Sequence, residues 1–584
     1  MNELDEKKTF AQRPPSHADD AADQPGPKRR MNELHKNKTF AWTLLAVFVF
    51  LSLYALGIRT LVPPDEGRYA EMAREMFTSG DWVTTRLNGI KYFEKPPLQT
   101  WMNALSFAVF GLGDWQARLW TGLCGIGGVL LTGFAGARVF GQRVGFYAAL
   151  VLGSCFYWVA CGQIDSLDMG LSGMMTISLC ALLIAQRDGA GMLEQRNWML
   201  ACWAGMALAV LSKGLIGIIL PGGVLVVYTL ITRDWKLWTR LHLAKGLLLF
   251  FAIAAPWFVM VGLKNPEQPA FFFIHEHWDR FFLKEHHREQ AWYVFFVLTA
   301  VGIVPWLGVL GQSLALGVKR EEGRFRPRLM LLVWAVFILL FFTKSNSKLP
   351  GYILPIFPAL ALLVANYLET GSRRSRMVNA VLMSLVGVAL LAAVPFMQKF
   401  AGRPAEAVLY QAYQPWVLAA GFTALAGGAL AWLYARQLQR DLFVVVLAIA
   451  GFATTELMLA GFEPIGYVRA GANLLPAIRA ELKPDTRVFA VGTYEQSLTF
   501  YLGRAMTLVD YRDEFSFGLE QQPELAIPTV AGFVEQWTRD AALGVRDVAL
   551  IRADIYNDLK QKGVPMRVVA QDSRRIVIAN DDKP

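Results

Sequence analysis

Apolar runs of roughly membrane-spanning length, separated by short polar turns, repeat along residues 40–461. A helix crossing about 30 Å of hydrocarbon needs about 20 mostly apolar residues. On that measure the runs at 41–61, 115–137, 144–163, 167–186, 197–211, 214–231, 244–263, 291–317, 329–343, 352–368, 377–397, 415–435 and 441–461 predict thirteen spans. The apolar run 97–112 is read differently. Counting it as a crossing would put the basic turn at Arg138 and Arg143 on the opposite side from its fellows, so it is predicted as a helix lying at the outer interface.

The polar positions orient these spans. Arg138/Arg143, Arg187/Arg196, Arg233/Lys236/Arg240 and the basic residues of 319–328, 373–376 and 436–440 fall on one side, which the positive-inside rule makes cytoplasmic. The loops 62–114 and 264–290 then lie outside, and an odd tally puts the C-terminus outside too. Residues 1–39 are polar and proline-bearing, with Lys28-Arg29-Arg30, and predict a disordered cytoplasmic tail. Met1-Asn2-Glu3-Leu4 recurs as Met31-Asn32-Glu33-Leu34, the mark of a second translation start or a local duplication. No small-residue cleavage site follows the first apolar run, so it is read as a retained span. Residues 462–584 change character. Short strand-like runs at 487–491, 548–551, 567–569 and 575–578 alternate with helix-like stretches at 496–502, 529–540 and 553–562, predicting a small α/β domain outside the membrane.

Composition agrees. The chain of 584 residues is 54% hydrophobic and 18% charged, with mean hydropathy +0.34, too little charge to cover a soluble protein. The net charge of +10 sits mostly in the short turns, so it reports topology and no nucleic-acid partner is expected. All five cysteines lie in apolar runs and read as small buried hydrophobes, not as a disulfide framework or metal site.

With orientation set, chemistry-bearing residues collect at the outer ends of the spans. Asp65, Glu66 and Arg68 follow Pro63-Pro64; Asp65 can cap the helix that begins there, a role compatible with catalysis. Glu94-Lys95 precede two prolines that stop helix formation through them. Asp165 and Asp168 lie at the outer ends of two spans; a carboxylate one turn inside a span is costly and points to function. Lys213 sits at another outer turn. Residues 271–287 hold His275, His277, Arg280, His286 and His287 among aromatics, readable as an interfacial helix or, through His-x-His, as a weak metal signal. Lys344, Lys348 and Tyr352 surround a Pro-Gly turn, with positive charge on the side the topology rule disfavours. Lys95, Arg280 and Lys348 can neutralise a phosphate leaving group, and Asp65 and Asp168 can serve as a nucleophile or steady a developing cation. Sugar transfer from a lipid phosphate, with its oxocarbenium-like transition state, needs both.

At these residues the chain resembles the lipid A aminoarabinose transferases, within the protein O-mannosyltransferase-like membrane glycosyltransferases. The marks are Pro64-Asp65-Glu66-Gly67-Arg68-Tyr69, Phe93-Glu94-Lys95-Pro96-Pro97, Asp165-x-x-Asp168, Lys213-Gly214, His275-Glu276-His277-Trp278-x-Arg280-Phe281 and Lys348-Leu349-Pro350-Gly351-Tyr352. The resemblance covers about residues 40–460 and implies a GT-C-type fold. It implies transfer of 4-amino-4-deoxy-L-arabinose from undecaprenyl phosphate to a lipid A phosphate at the periplasmic face of a bacterial inner membrane. It makes Asp65 the central carboxylate with Asp168 beside it, and gives Lys95, Arg280 and Tyr352, with Lys348, to the carrier phosphate. Glu66, Arg68 and Lys213 would contact substrate. Glu94 and His275 would be candidates to hold a structural zinc ion. An amine-bearing sugar masking phosphate charge implies weaker binding of polymyxin and other cationic peptides. Two other readings stay open: a polyprenyl-phosphate glycosyltransferase with another sugar or acceptor, and a lipid or sugar transporter. Against the transporter, the polar residues crowd one face instead of the bilayer midplane.

Overall fold

A computed structural model describes residues 33–274 and 290–580. Among them nine helices are long and apolar enough to cross a membrane, and ten if the bent pair Val294–Gly302 and Leu307–Val318 is one span. All thirteen predicted stretches are helical within the described residues, and four of them miss that test for local reasons. Met192–Lys213 is long but opens on the polar run Met-Leu-Glu-Gln-Arg-Asn. Ile216–Thr232 has 17 residues. The stretch 144–163 divides at residues 153–155 into the helices Gln142–Leu152 and Phe156–Cys161. The stretch 291–317 turns through 109° near Pro305, which has no N–H to continue a helix. The Leu167–Gln186 helix is the hub, with 89% of its apolar window buried, whereas Lys38–Ala55 lies at the margin with 6% buried.

Residues 97–112, predicted to lie at the interface, form the helix Leu98–Phe110, which packs on the helix Asp65–Ser79. Between these two helices a hairpin pairs β1 (Arg86–Leu87) with β2 (Ile90–Lys91). Its turn residue Asn88 exchanges two 2.7 Å hydrogen bonds with the backbone of Met506, in the C-terminal domain.

The C-terminal domain is α/β, as its alternation predicts. Strands β3 (Arg487–Val491), β4 (Thr507–Val509), β5 (Ala526–Ile527), β6 (Asp547–Ile551), β7 (Arg567–Gln571) and β8 (Ile576–Ala579) form one sheet in the order β5-β4-β3-β6-β8-β7. The first four run parallel, with Val491 opposite Ile551; β8 and β7 close the edge antiparallel. Helices Gln496–Leu502, Val530–Ala542 and Ala553–Gln561 supply crossovers. Besides the Asn88–Met506 exchange, further contacts fasten the domain to the membrane part. Tyr501 donates to Asp114 at 2.7 Å and accepts from the Leu61 N–H at 2.7 Å, while Phe500 stacks on Phe107. On the other flank Arg574 grips the buried Glu406 with two hydrogen bonds of 2.8 and 3.0 Å.

Candidate active site

The site is built around the helix Asp65–Ser79. Residues one, four and five of that helix, Asp65, Arg68 and Tyr69, fall on one face, because i, i+3 and i+4 positions are neighbours. That face lines a cavity of about 320 Å³. Glu66 lies about 100° round the helix and points elsewhere. Asp65 is the first helical residue, and its side chain, 55% exposed, does not cap the helix. It accepts from Arg68 at 2.9 Å.

The remaining walls come from stretches far apart in sequence: Glu94 and Lys95, Ser166 to Asp168 with Leu171, Lys213 with Ile216, and the segment from Phe341 to Tyr352. The helix break enforced by Pro96 and Pro97 keeps Glu94 and Lys95 in irregular backbone, where Lys95 donates to the Glu94 carbonyl at 2.7 Å and lies 4.0 Å from its carboxylate. Asp168, in the first turn of its helix, is ion-paired with Lys213, and the Lys213 ammonium sits 4.8 Å above the Tyr352 ring. Gly351 makes this approach feasible: a β-carbon there would stand 2.2 Å from the Asp168 carboxyl carbon. Three cations and three carboxylates therefore share one chamber, walled by Leu171, Ile216, Phe341 and Phe342. Burial raises the Tyr69 hydroxyl well above its ordinary range, so at neutral pH it remains a protonated donor.

The structure brings Asp65, Arg68, Glu94, Lys95, Asp168, Lys213 and Tyr352 together, as the sequence predicts. Two expectations are corrected. Glu66 does not line the cavity. It is 2% exposed and salt-bridged to Arg118 by bonds of 2.6 and 2.9 Å, while accepting from the Val62 and Asp165 N–H groups. Its neighbour Asp165 is likewise buried, receiving Gln99 at 2.7 Å and Asn103 at 2.8 Å. Lys348 is absent from the cavity wall; its ammonium turns back onto the Ser345 carbonyl, three residues earlier in the chain, at 2.9 Å. His275, His277 and Arg280 lie outside the described residues. Among the described residues no group of three or more His, Cys, Asp and Glu side chains converges to hold a metal; Glu94 lines the cavity, and its proposed partner His275 lies outside the described residues.

Sequence reasoning missed three contributors. Tyr69 was detectable from helical spacing with Asp65. Arg118 and Glu514 carry no local signal, since their partners lie 52 and 446 residues away. Glu514 comes from the C-terminal domain and receives Arg68 at 2.7 and 2.6 Å.

The bundle of apolar helices, with an acidic and basic chamber at one end and an α/β domain docked on it, is identified by comparison with known proteins as a polyprenyl-phosphate-dependent membrane glycosyltransferase of the GT-C type. Residues 39–267 match the family described as dolichyl-phosphate-mannose-protein mannosyltransferase, and residues 474–580 match the aminoarabinose transferase C-terminal domain. The chain is 29% identical to undecaprenyl phosphate-alpha-4-amino-4-deoxy-L-arabinose arabinosyl transferase 2 of Proteus mirabilis, over 85% of this chain and 90% of that protein. It is 32% identical to the arabinosyl transferase of Aeromonas salmonicida, over 67% of this chain and 72% of that one. Among solved structures, ArnT from Cupriavidus metallidurans bound to undecaprenyl phosphate superposes with a TM-score of 0.87 and 40% identity, covering 92% of this chain and 98% of that one. The chain belongs to the aminoarabinose transferase family. The family match extends into residues 474–580, beyond the point where the motif resemblance stops.

Proposed function

We propose that this protein transfers 4-amino-4-deoxy-L-arabinose from undecaprenyl phosphate to a phosphate of lipid A, at the periplasmic face of the bacterial inner membrane. The observation that carries the reading is the chamber itself, where Asp65, Lys95, Asp168, Lys213 and Tyr352 meet from five separate stretches of chain. Family membership supports the donor, since the related Cupriavidus enzyme was solved bound to undecaprenyl phosphate. The lipid A acceptor rests on the family resemblance.

In this reading Lys95 and Tyr352, with Arg280, hold the carrier phosphate and absorb its charge as the glycosidic bond breaks. Lysine acts as a point charge and arginine can engage phosphate oxygens in pairs. Asp65 orients the acceptor or the sugar and steadies positive charge developing at the anomeric carbon. An acceptor that is already a phosphate anion at neutral pH needs no strong base, so proton abstraction is not assigned to Asp65. Asp168 and Lys213 form a paired wall that orients the sugar, with the Lys213 charge over Tyr352 holding that ring in place. Arg68 reaches Asp65 and so takes part in setting its position. A zinc ion on Glu94 and His275 would play a structural part, and no step of transfer is routed through it. The N-terminus lies in the cytoplasm and the C-terminal domain in the periplasm.

The test is mass analysis of lipid A from cells with and without the chain. Transfer adds the mass of one aminoarabinose per modified phosphate and lowers sensitivity to polymyxin; a different added mass reassigns the sugar, and no added mass rejects the acceptor. Movement of labelled carrier lipid that is indifferent to Asp65→Asn would instead favour a transporter.

A further inference from the structure

We infer that Glu514, in the C-terminal domain, is a positioning residue for transfer, acting through Arg68 to hold Asp65 toward the cavity. The inference rests on the reading of Asp65 as the central carboxylate.

Arg68 has one guanidinium and two carboxylates to satisfy. Its Nη1 donates to Asp65 Oδ1 at 2.9 Å, while Nε and Nη2 both reach Glu514 Oε2, at 2.7 and 2.6 Å. The other Glu514 oxygen accepts from Gln496 at 2.6 Å, so the carboxylate is fixed at both ends. Glu514 and Arg68 are nearly enclosed, with side chains 9% and 17% exposed, whereas Asp65 remains open to the cavity. The fork that arginine normally offers to one carboxylate in a paired, planar grip is thus divided. Most of it is spent on Glu514, leaving Asp65 a single bond and a second oxygen to meet substrate. Without the Glu514 charge, the fork is free to close on Asp65, draw it back along the helix and spend both its oxygens.

The contact is built in, not incidental. Gly67, beside Arg68, lets the helix Asp65–Ser79 lie directly on the helix Gln496–Leu502: a β-carbon at Gly67 would stand 2.3 Å from the Ser497 backbone nitrogen. The helix that carries Asp65 and Arg68 therefore touches the same helix whose Gln496 fixes Glu514. Burial raises the Glu514 carboxyl above its ordinary range, and the Arg68 cation opposes that shift.

The experiment uses the purified full chain in detergent with a defined polyprenyl-phosphate sugar donor and lipid A. Its variants are Glu514→Gln, Glu514→Asp and Gln496→Leu. Removing a charge-assisted hydrogen bond predicts a fall in kcat of roughly tenfold to a hundredfold for Glu514→Gln. KM for the donor stays within about twofold, because the carrier phosphate meets other residues. Glu514→Asp recovers part of kcat, and Gln496→Leu falls between wild type and Glu514→Gln. Wild-type kcat in Glu514→Gln overturns the inference. So does a loss shared equally by Glu514→Asp and matched by a lower melting temperature, since that marks a purely structural contact. Asp65→Asn run alongside separates the two readings: if it transfers normally, the assignment of Asp65 fails first; if it is inactive while Glu514→Gln is normal, only the role of Glu514 fails.

Discussion

Replacing Arg118 with methionine tests the structural place assigned to Glu66. Arg118 is fully buried in the helix Asp114–Phe140 and makes five hydrogen bonds. Two go to Glu66, and the others go to the carbonyls of Leu56, Arg59 and Thr60. It thereby pins the end of the first apolar helix to the start of the Asp65 helix. Arg118→Met leaves Glu66 enclosed, with the Val62 and Asp165 N–H groups as its remaining hydrogen-bond donors. Breaking a buried pair from one side costs about 3–5 kcal/mol, because the stranded partner keeps its desolvation penalty. Replacing both, as Glu66→Leu with Arg118→Met, removes the stranded charge and recovers part of that loss, a coupling of about 1–3 kcal/mol. The assay is the unfolding midpoint of purified protein in detergent, read beside transfer per folded molecule. A wild-type midpoint for Arg118→Met refutes the reasoning. A Glu66→Gln variant with a wild-type midpoint but no transfer also refutes it, and returns Glu66 to the substrate.

Further outcomes follow from the same geometry. Lys95→Ala raises the dissociation constant for the donor lipid by about tenfold, measured by binding of labelled undecaprenyl phosphate, with little change in melting temperature. Gly351→Ala sets a methyl group against Asp168, disturbs its pairing with Lys213, and lowers kcat more than donor affinity in steady-state kinetics. Glu75 lies on the helix Asp65–Ser79, accepts from the Gly89 N–H at 2.9 and 3.0 Å, and has its carboxyl pushed from 4.5 up to about 8 by burial and by the neighbouring Glu71 charge. A carboxyl raised on folding binds more protons in the folded than in the unfolded state, so its contribution to stability is lost as pH rises from about 4.5 to about 8. Glu75→Gln, which keeps an acceptor for Gly89, therefore melts higher than wild type at pH 8 and shows a flatter dependence across that window. Equal melting temperatures at pH 8 would count against it.

Most of the fold was legible because apolar period and charge placement are local signals. The thirteen stretches, the helix Leu98–Phe110 and four of the six C-terminal strands follow from runs read in place. Strands β4 and β5 are three and two residues long, and the hairpin β1–β2 is held by Met506 from the other domain, so none has a pattern of its own. At the site, charged residues at outer span ends identified most of the chamber. Glu66, which the resemblance gives to substrate, departs from that expectation because on a helix Asp65 keeps company with Arg68 and Tyr69, while Glu66 turns toward Arg118. Lys348 departs from its expected place for a different reason: its ammonium is taken up by the nearby Ser345 carbonyl. Glu514 could not have been found, since its partnership with Arg68 exists only once the C-terminal domain has docked.

The central claim is that the outer chamber performs the chemistry and that Asp65 stands at its centre. Its most direct test is single-turnover transfer by purified Asp65→Asn, with donor-lipid binding and melting temperature measured on the same sample. The account predicts donor binding and stability close to wild type with sugar transfer abolished. Transfer at the wild-type rate by that variant would contradict it.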